Sequence, residues 1–375
     1  MPDDPSGGAT PGKAATGKTV STSSPAGTSL GDGTYLAPHT NDDGTKVFHL
    51  TMAPTTIETE PGVTKQAYAF NGIVPGPTLR VNEGDRIRVI VDNDLPFATG
   101  VHWHGMILPN DQDGIPELTQ PPIEPGERHT YEFDAIAPGT HWYHTHSSGR
   151  HIGKGLYGAF EVVPKTGDIR ADRDYTIEIG DTDLGFVFNG KSFPATTPLV
   201  TKVGEKVHLR IINAGDQVHA IHLHGIPFQV LAQDGNPLPV PQKMDTLTVA
   251  PAQTYDLLFS EVNPGKWLLH CHVFAHSHMT GDTMPPGDTG MTGMVTYLDV
   301  APKSTALPGV PLAASASRSP QPRTGLAAWS GGMQDHLTLI VLAALLVIAL
   351  RTGIGGRRSY LPLPLRKLPL RKDHE

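Results

Sequence analysis

The sequence predicts an all-β protein made of two copies of one sandwich or barrel domain. Two observations carry this expectation. Glycine and proline are abundant, 41 and 35 among 375 residues, which favours short strands between turns. The chain also repeats itself. Phe70-Asn71-Gly72 returns as Phe188-Asn189-Gly190, 118 residues later, and His102-Trp103-His104-Gly105 returns as His222-Leu223-His224-Gly225 after 120. Pro138-Gly139 and His144-Thr145-His146 return as Pro264-Gly265 and His270-Cys271-His272, both after 126. A repeat of this length means two copies of a domain, not a solenoid. It places domain 1 at 34–165 and domain 2 at 170–301.

The elements follow in order. Residues 1–33 are rich in small and polar residues and nearly free of large apolar ones, so they are expected to be disordered. A secretory signal, a basic start followed by an apolar run, is not read there, so export needs a start upstream or another route. Lys46-Val47-Phe48-His49-Leu50-Thr51-Met52 alternates as a half-buried strand does. Gly84-Asp85 turns the chain into a second alternating stretch, Arg86-Ile87-Arg88-Val89-Ile90-Val91. Pro138-Gly139 turns it into His141-Trp142-Tyr143-His144-Thr145-His146, and Ala159–Val163 closes the first domain. Residues 302–332, rich in Pro, Ser and Ala, read as a linker. Leu337–Leu350 is an uncharged apolar run of 14 residues, and a basic tail at 355–375 follows it. Fourteen helical residues reach only about 21 Å against a hydrocarbon core of roughly 30 Å. A membrane anchor therefore has to extend over 333–354. Basic flanks favour the cytoplasmic side, which would place the two domains on the opposite, extracytoplasmic face.

The formal net charge of −8 argues against a nucleic-acid partner. Nineteen histidines stand beside one cysteine. Imidazole suits Zn, Cu, Fe and Ni, and a lone thiolate among imidazoles narrows the metal towards copper. The histidines fall in four pairs: His102 and His104, His144 and His146, His222 and His224, His270 and His272. On a strand, residues i and i+2 share a face. Cys271 therefore points away from His270 and His272, and a thiolate on one face would join an imidazole pair on the other through a few covalent bonds.

His-Trp-His-Gly, Trp-Tyr-His-Thr-His, His-x-x-His-Leu-His-Gly and His-Cys-His-x-x-x-His occur in this order over roughly 70–300. In this they resemble the multicopper oxidases, and the layout is similar to that of the two-domain, laccase-like members of small laccase type. The resemblance implies a cupredoxin-type Greek-key barrel for each domain. It implies about four coppers per chain, as one type 1, one type 2 and two type 3. Cys271, His219 and His276 are the implied blue type 1 ligands, with His278 a competitor for His276. The axial methionine of the family falls on Gly281, so an insertion moves it to Met291, with Met279 and Met294 as alternatives. His102 and His222 take the type 2 copper. His104, His144, His146, His224, His270 and His272 take the type 3 pair. Asp113, in Asp-Gly after the first pair, is the implied proton donor near the type 2 copper. Ala275 stands where some members carry a second acid.

The implied reaction couples one-electron oxidation of phenols, aromatic amines or metal ions to four-electron reduction of O2 to water. Two alternatives follow from the same residues. Met279, Met284, Met291 and Met294 around His276 and His278 suit Cu(I), as in a cuprous oxidase of copper homeostasis. A copper nitrite reductase-like enzyme is disfavoured, because the single thiolate lies in the second domain and Thr145 takes its place in the first. Family resemblance also implies a homotrimer, in which domain 1 of one subunit meets domain 2 of the next.

Overall fold

The computed structural model describes residues 34–278 and 290–305. The expectations for 1–33, the linker beyond 305, the 333–354 anchor, the basic tail, Met279 and Met284 lie outside the described residues. Within them the protein is β, with only the short helices Asn110–Gln112, Gly149–Gly153 and Phe274–Ser277. None of these helices is long and apolar enough to cross a membrane.

Alternation builds the strands. In Arg86–Asn93 the side chains of Ile87, Val89 and Val91 are fully buried while Arg86, Arg88 and Ile90 face outward. This strand lies parallel to Lys46–Glu60 and antiparallel to Arg128–Asp134. A second sheet orders Tyr35–Leu36, Gly76–Asn82, Tyr157–Val163, Gly139–Thr145 and Val101–His104. Phe48, Leu50, Leu79, Trp103, Tyr131 and Phe160 belong to the core these strands enclose.

The plan recurs from Arg173. One sheet orders Val187–Phe188, Arg173–Gly180, Lys206–Asn213, Thr254–Ser260, Phe228–Gln233 and Asn236–Met244. The other orders Leu199–Lys202, Val295–Ala301, Gly265–Cys271, His219–Leu223 and Thr246–Val249. Their core holds Ile211, Ile221, Phe228, Val249, Leu298 and, with them, Cys271 and Met294.

The two halves are joined by apolar and polar contacts. Trp142, Tyr157 and Ala159 pack with Ile212 and Ala214. Thr140 Oγ1 donates to Asp256 at 2.7 Å, and Thr254 Oγ1 donates to the Thr140 carbonyl at 2.7 Å. Arg80 pairs with Glu161 and Asp168, and Arg210 with Asp174 and Asp168. Each buried charge there is opposed, which offsets the cost of its desolvation.

Candidate metal centre

Two hairpin-like pairings with one register position the histidines. In the first half, Val101–His104 runs antiparallel to Gly139–Thr145, with His102 opposite His144 and His104 opposite Trp142. The centroid of the His102 ring lies 5.6, 5.2 and 5.9 Å from those of His104, His144 and His146. Ring nitrogens of His102, His104 and His144 all fall within 4.8 Å of one another. His102 Nδ1 is 2.9 Å from the Asp113 carbonyl and His144 Nδ1 is 2.9 Å from the Thr145 carbonyl. A carbonyl only accepts, so both Nδ1 atoms carry the proton and both Nε2 lone pairs are left for a metal. Burial holds the pKa of His104 down to about 4 and that of His144 down to about 3. At neutral pH they are uncharged, which is the ligating form.

In the second half, His219–Leu223 runs antiparallel to Gly265–Cys271, and His222 lies opposite His270. His222 Nδ1 donates to the Asp245 carbonyl at 2.8 Å and His270 Nδ1 to the Cys271 carbonyl at 3.0 Å. His224 Nε2 and His270 Nε2 approach to 3.1 Å, aimed at a common point. The His272 ring lies 5.3 Å from His270 and 5.6 Å from His222. Burial holds His270 down to about 4 and lowers His224 as well. Ring contacts join the members of each quartet. Among the described residues none joins one quartet to the other.

Behind the second quartet, on the opposite face of the strand, lies Cys271, with no exposed surface. Its Sγ is 3.7 Å from His219 Nδ1 and 3.5 Å from His276 Nδ1, and those nitrogens are 3.1 Å apart. His276 rides on the short helix Phe274–Ser277, its ring stacked on Phe186 at 4.2 Å. The competitor His278 is turned elsewhere. Its Nδ1 meets Ser277 Oγ at 2.9 Å and its ring faces Phe274 at 4.9 Å. Met294 is fully buried in the core with Cys271, whose N–H donates to the Met294 carbonyl at 3.0 Å. Met291 is half-buried and bridges to His278 along the backbone. A sulfur and two imidazole nitrogens meeting at one buried point, with Met291 and Met294 in the segment just before the adjoining strand Val295–Ala301, suit a blue copper ion.

Asp113 is brought to His102. Its Oδ1 lies 3.3 Å from His102 Nδ1, beside the carbonyl bond already described. Gly114 makes this approach feasible: it has φ +83°, and a Cβ there would come within 1.9 Å of the Val101 carbonyl oxygen. Asp181 was not visible from the sequence. Its Oδ2 accepts from His219 Nε2 at 2.9 Å and from the Gln217 N–H, while Oδ1 accepts from the Asp216 N–H. Burial pushes its carboxyl up, but the His219 hydrogen bond and these backbone donors hold it below the ordinary range. It occupies the far nitrogen of His219 and so aims Nδ1 at Cys271. No motif marks Asp181, because it stands 38 residues before His219.

Two models of the multicopper oxidase family match residues 51–167 and 168–284. Laccase-2 of Botryotinia fuckeliana is 33% identical over 261 residues, covering 58% of this chain and 43% of that protein. The chain spans less than half the length of the first curated relatives it matches. Among solved structures, a blue copper oxidase from Nitrosomonas europaea is 35% identical with a TM-score of 0.62, over 68% of this chain and 86% of that one. The multicopper oxidase mgLAC is 33% identical with a TM-score of 0.63, over 70% and 88%.

Proposed function

The chain belongs to the multicopper oxidase family, and from that premise we propose that it is a laccase-like oxidase of two cupredoxin-like domains, 34–165 and 170–301. It takes single electrons from a small reductant, a phenol, an aromatic amine or a metal ion, and delivers four to O2, forming two waters. Bound copper supplies the redox steps. His219, Cys271 and His276 would hold the blue copper, with Met291 as the weak axial thioether. His102 and His222 would hold the type 2 ion, and His104, His144, His146, His224, His270 and His272 the type 3 pair.

One observation carries this reading. Cys271 is buried against His219 and His276 on one face of its strand, while its neighbour His270 faces His224 and His222 on the other. The thiolate and the two flanking imidazoles are thus joined through the backbone alone. Metal analysis of the purified protein tests it. About four coppers per chain support the oxidase, whereas about two or one favour a nitrite reductase-like enzyme or a simple electron carrier.

Asp113 would hand protons towards O2, a role supported by its Oδ1 lying 3.3 Å from His102 Nδ1. Asp113→Asn is expected to slow reoxidation by O2 on the order of a hundredfold while sparing oxidation of the reductant. Stopped-flow measurement of the two half-reactions separates them, and equal slowing would count against the role. Asp181 bears on the other end of the path. Its carboxylate favours the more positive metal state, so Asp181→Asn should raise the potential of the blue site by about 59 mV, a tenfold change for one electron. A redox titration followed by the blue absorption reads this directly, and an unchanged potential sinks it.

Each quartet has four of the eight histidines, and among the described residues no ring contact joins the two, which supports reading each as half of a site. A head-to-tail homotrimer, in which domain 1 of one subunit meets domain 2 of the next, completes the clusters. The apolar run in 333–354 tethers this assembly to a membrane, with the domains outside the cytoplasm. Salt-washed membranes from cells making the full chain should retain the oxidase, and a chain ending at Ala301 should be released. Equal release of both would refute the tether.

A further inference from the structure

A cavity of about 340 Å³ lies at the junction of the two halves, and none of the histidine pairs lines it. Its walls are largely apolar and come from both halves: Val162 and Pro164 from the first, Leu231, Ala232 and Pro237 from the second. The segment that connects the halves borders it through Gly167, Asp168 and Ile169. Gly139, of the repeated Pro-Gly turn, stands at its edge with φ +126°. A Cβ there would fall 2.4 Å from the Cα of Gly235, so the glycine lets the two halves approach. The matching Gly265 has no atom within 4 Å of such a Cβ among the described residues, so only the first copy of the turn serves the junction. A cavity of this size at a domain junction, apolar with a few converging polar groups, suits a small ligand.

The polar groups are Glu161, Asp168, Arg210 and Asp256. Glu161, Arg210 and Asp256 are 2, 4 and 4% exposed. Arg210 pairs with Asp168 and Asp174, and its Nε lies 3.8 Å from both Glu161 and Asp256. Arg80 pairs with Glu161 and Asp168. His208, buried between Asp174 and Asp256, is 3.1 and 2.9 Å from them. Burial and Arg210 push its pKa down, but the two carboxylates raise it on balance. Every charge has an opposite neighbour, yet the count does not close. Glu161, Asp168, Asp174 and Asp256 face two guanidiniums and, when it is protonated, His208. The cluster is therefore negative by at least one charge, and Glu83 on the cavity wall adds another carboxylate. Tyr35 and Thr176 donate hydrogen bonds to Glu161 at 3.3 and 3.1 Å but bring no charge. An excess charge held out of water is costly, so a cation is the favoured companion.

We propose that this cavity is a binding site for a small organic monocation, an ammonium group carried on an apolar body. The ammonium sits among Glu161, Asp168 and Asp256 and brings the charge count towards balance. The body packs on Val162, Leu231 and Ala232. A neutral ligand of the same shape leaves the excess charge unopposed, an anion adds to it, and a bare metal ion leaves the apolar walls uncovered. The walls belong to both halves and to the segment between them. An occupant therefore ties the halves together and stabilises the folded protein. No copper ligand takes part, so the inference stands apart from the reaction proposed above.

Calorimetric titration of the full-length protein with phenethylammonium is the test. Its amine is not attached to the ring, so it does not act as an oxidisable aromatic amine. One site per chain is expected, with a Kd on the order of a millimolar or tighter for a ligand of this size, and a raised melting temperature. Phenethyl alcohol keeps the shape without the charge, and methylammonium keeps the charge without the body. Each should bind about tenfold more weakly or worse, and phenylacetate should not bind. Asp168→Asn removes a carboxylate whose side chain is 26% exposed and leaves Arg80 and Arg210 opposed by Glu161 and Asp174. It should weaken the ammonium about tenfold. Ala232→Leu fills the cavity and should abolish binding. Circular dichroism checks the fold of both variants, and if Ala232→Leu does not fold, Asp168→Asn decides alone. Alcohol binding as tightly as ammonium overturns the charge argument, and methylammonium binding as tightly overturns the apolar body. Binding that the folded variants leave unchanged, or no binding at about 10 mM, overturns the site itself.

Discussion

Replacing Cys271 by serine is expected to abolish the blue absorption and bring oxidation of the reductant to background, while about three coppers per chain stay bound. The colour depends on a thiolate bonded to copper, and Cys271 is the only cysteine in the chain. A serine hydroxyl keeps its proton near neutral pH and is a hard, poor ligand. The retained coppers follow from strand geometry. Cys271 faces His219 and His276, whereas His270 faces the second quartet. The substitution therefore leaves the opposite face of the strand intact. Thr145 of the first half supplies the control. It occupies the matching position, where its Oγ1 meets Thr99 Oγ1 at 2.6 Å in place of a thiolate and an imidazole. Thr145→Ser should leave the absorption unchanged. A Cys271→Ser protein that stays blue, or that loses all its copper, would be incompatible with the ligand set.

The clustering of the histidines was legible because strand period and HxH spacing coincide. An HxH pair on a strand puts both imidazoles on one face, and the structure repeats this in both halves with His102 opposite His144 and His222 opposite His270. His276 was favoured over His278 by its spacing from Cys271, and the structure puts its Nδ1 3.5 Å from the sulfur, on the short helix Phe274–Ser277. Three things were hidden. Asp181 acts across the fold, and nothing local to it in the sequence names His219 as its partner. Trp142 reads as an ordinary core aromatic until the register places it against two ligand rings. The expected axial methionine stayed open among Met279, Met291 and Met294 for another reason: the family spacing after Cys271 falls on Gly281. The repeat offsets also drift from 118 to 126. They showed two copies of a domain but could not give which strands pair across the halves.

Mixing two inactive variants is expected to restore about a quarter of the wild-type activity, if each cluster is shared between neighbouring subunits. His104→Ala damages the quartet of the first half, and His224→Ala that of the second. Each protein alone should be inactive. In a head-to-tail ring, a cluster draws its first half from one subunit and its second half from the next. When the two variants are co-expressed in equal amounts, half of the first halves and half of the second halves are intact. A random pairing therefore makes about one site in four whole. A cluster closed within one chain gives no restored activity, because every chain carries one lesion. Folding has an internal control. Cys271, His219 and His276 belong to a single half and are untouched in both variants, so every sample should keep its blue absorption. Light scattering on the active mixture should give the mass of three chains. A monomer retaining full activity and all its copper would overturn the shared-cluster assembly and leave the blue-site assignment standing.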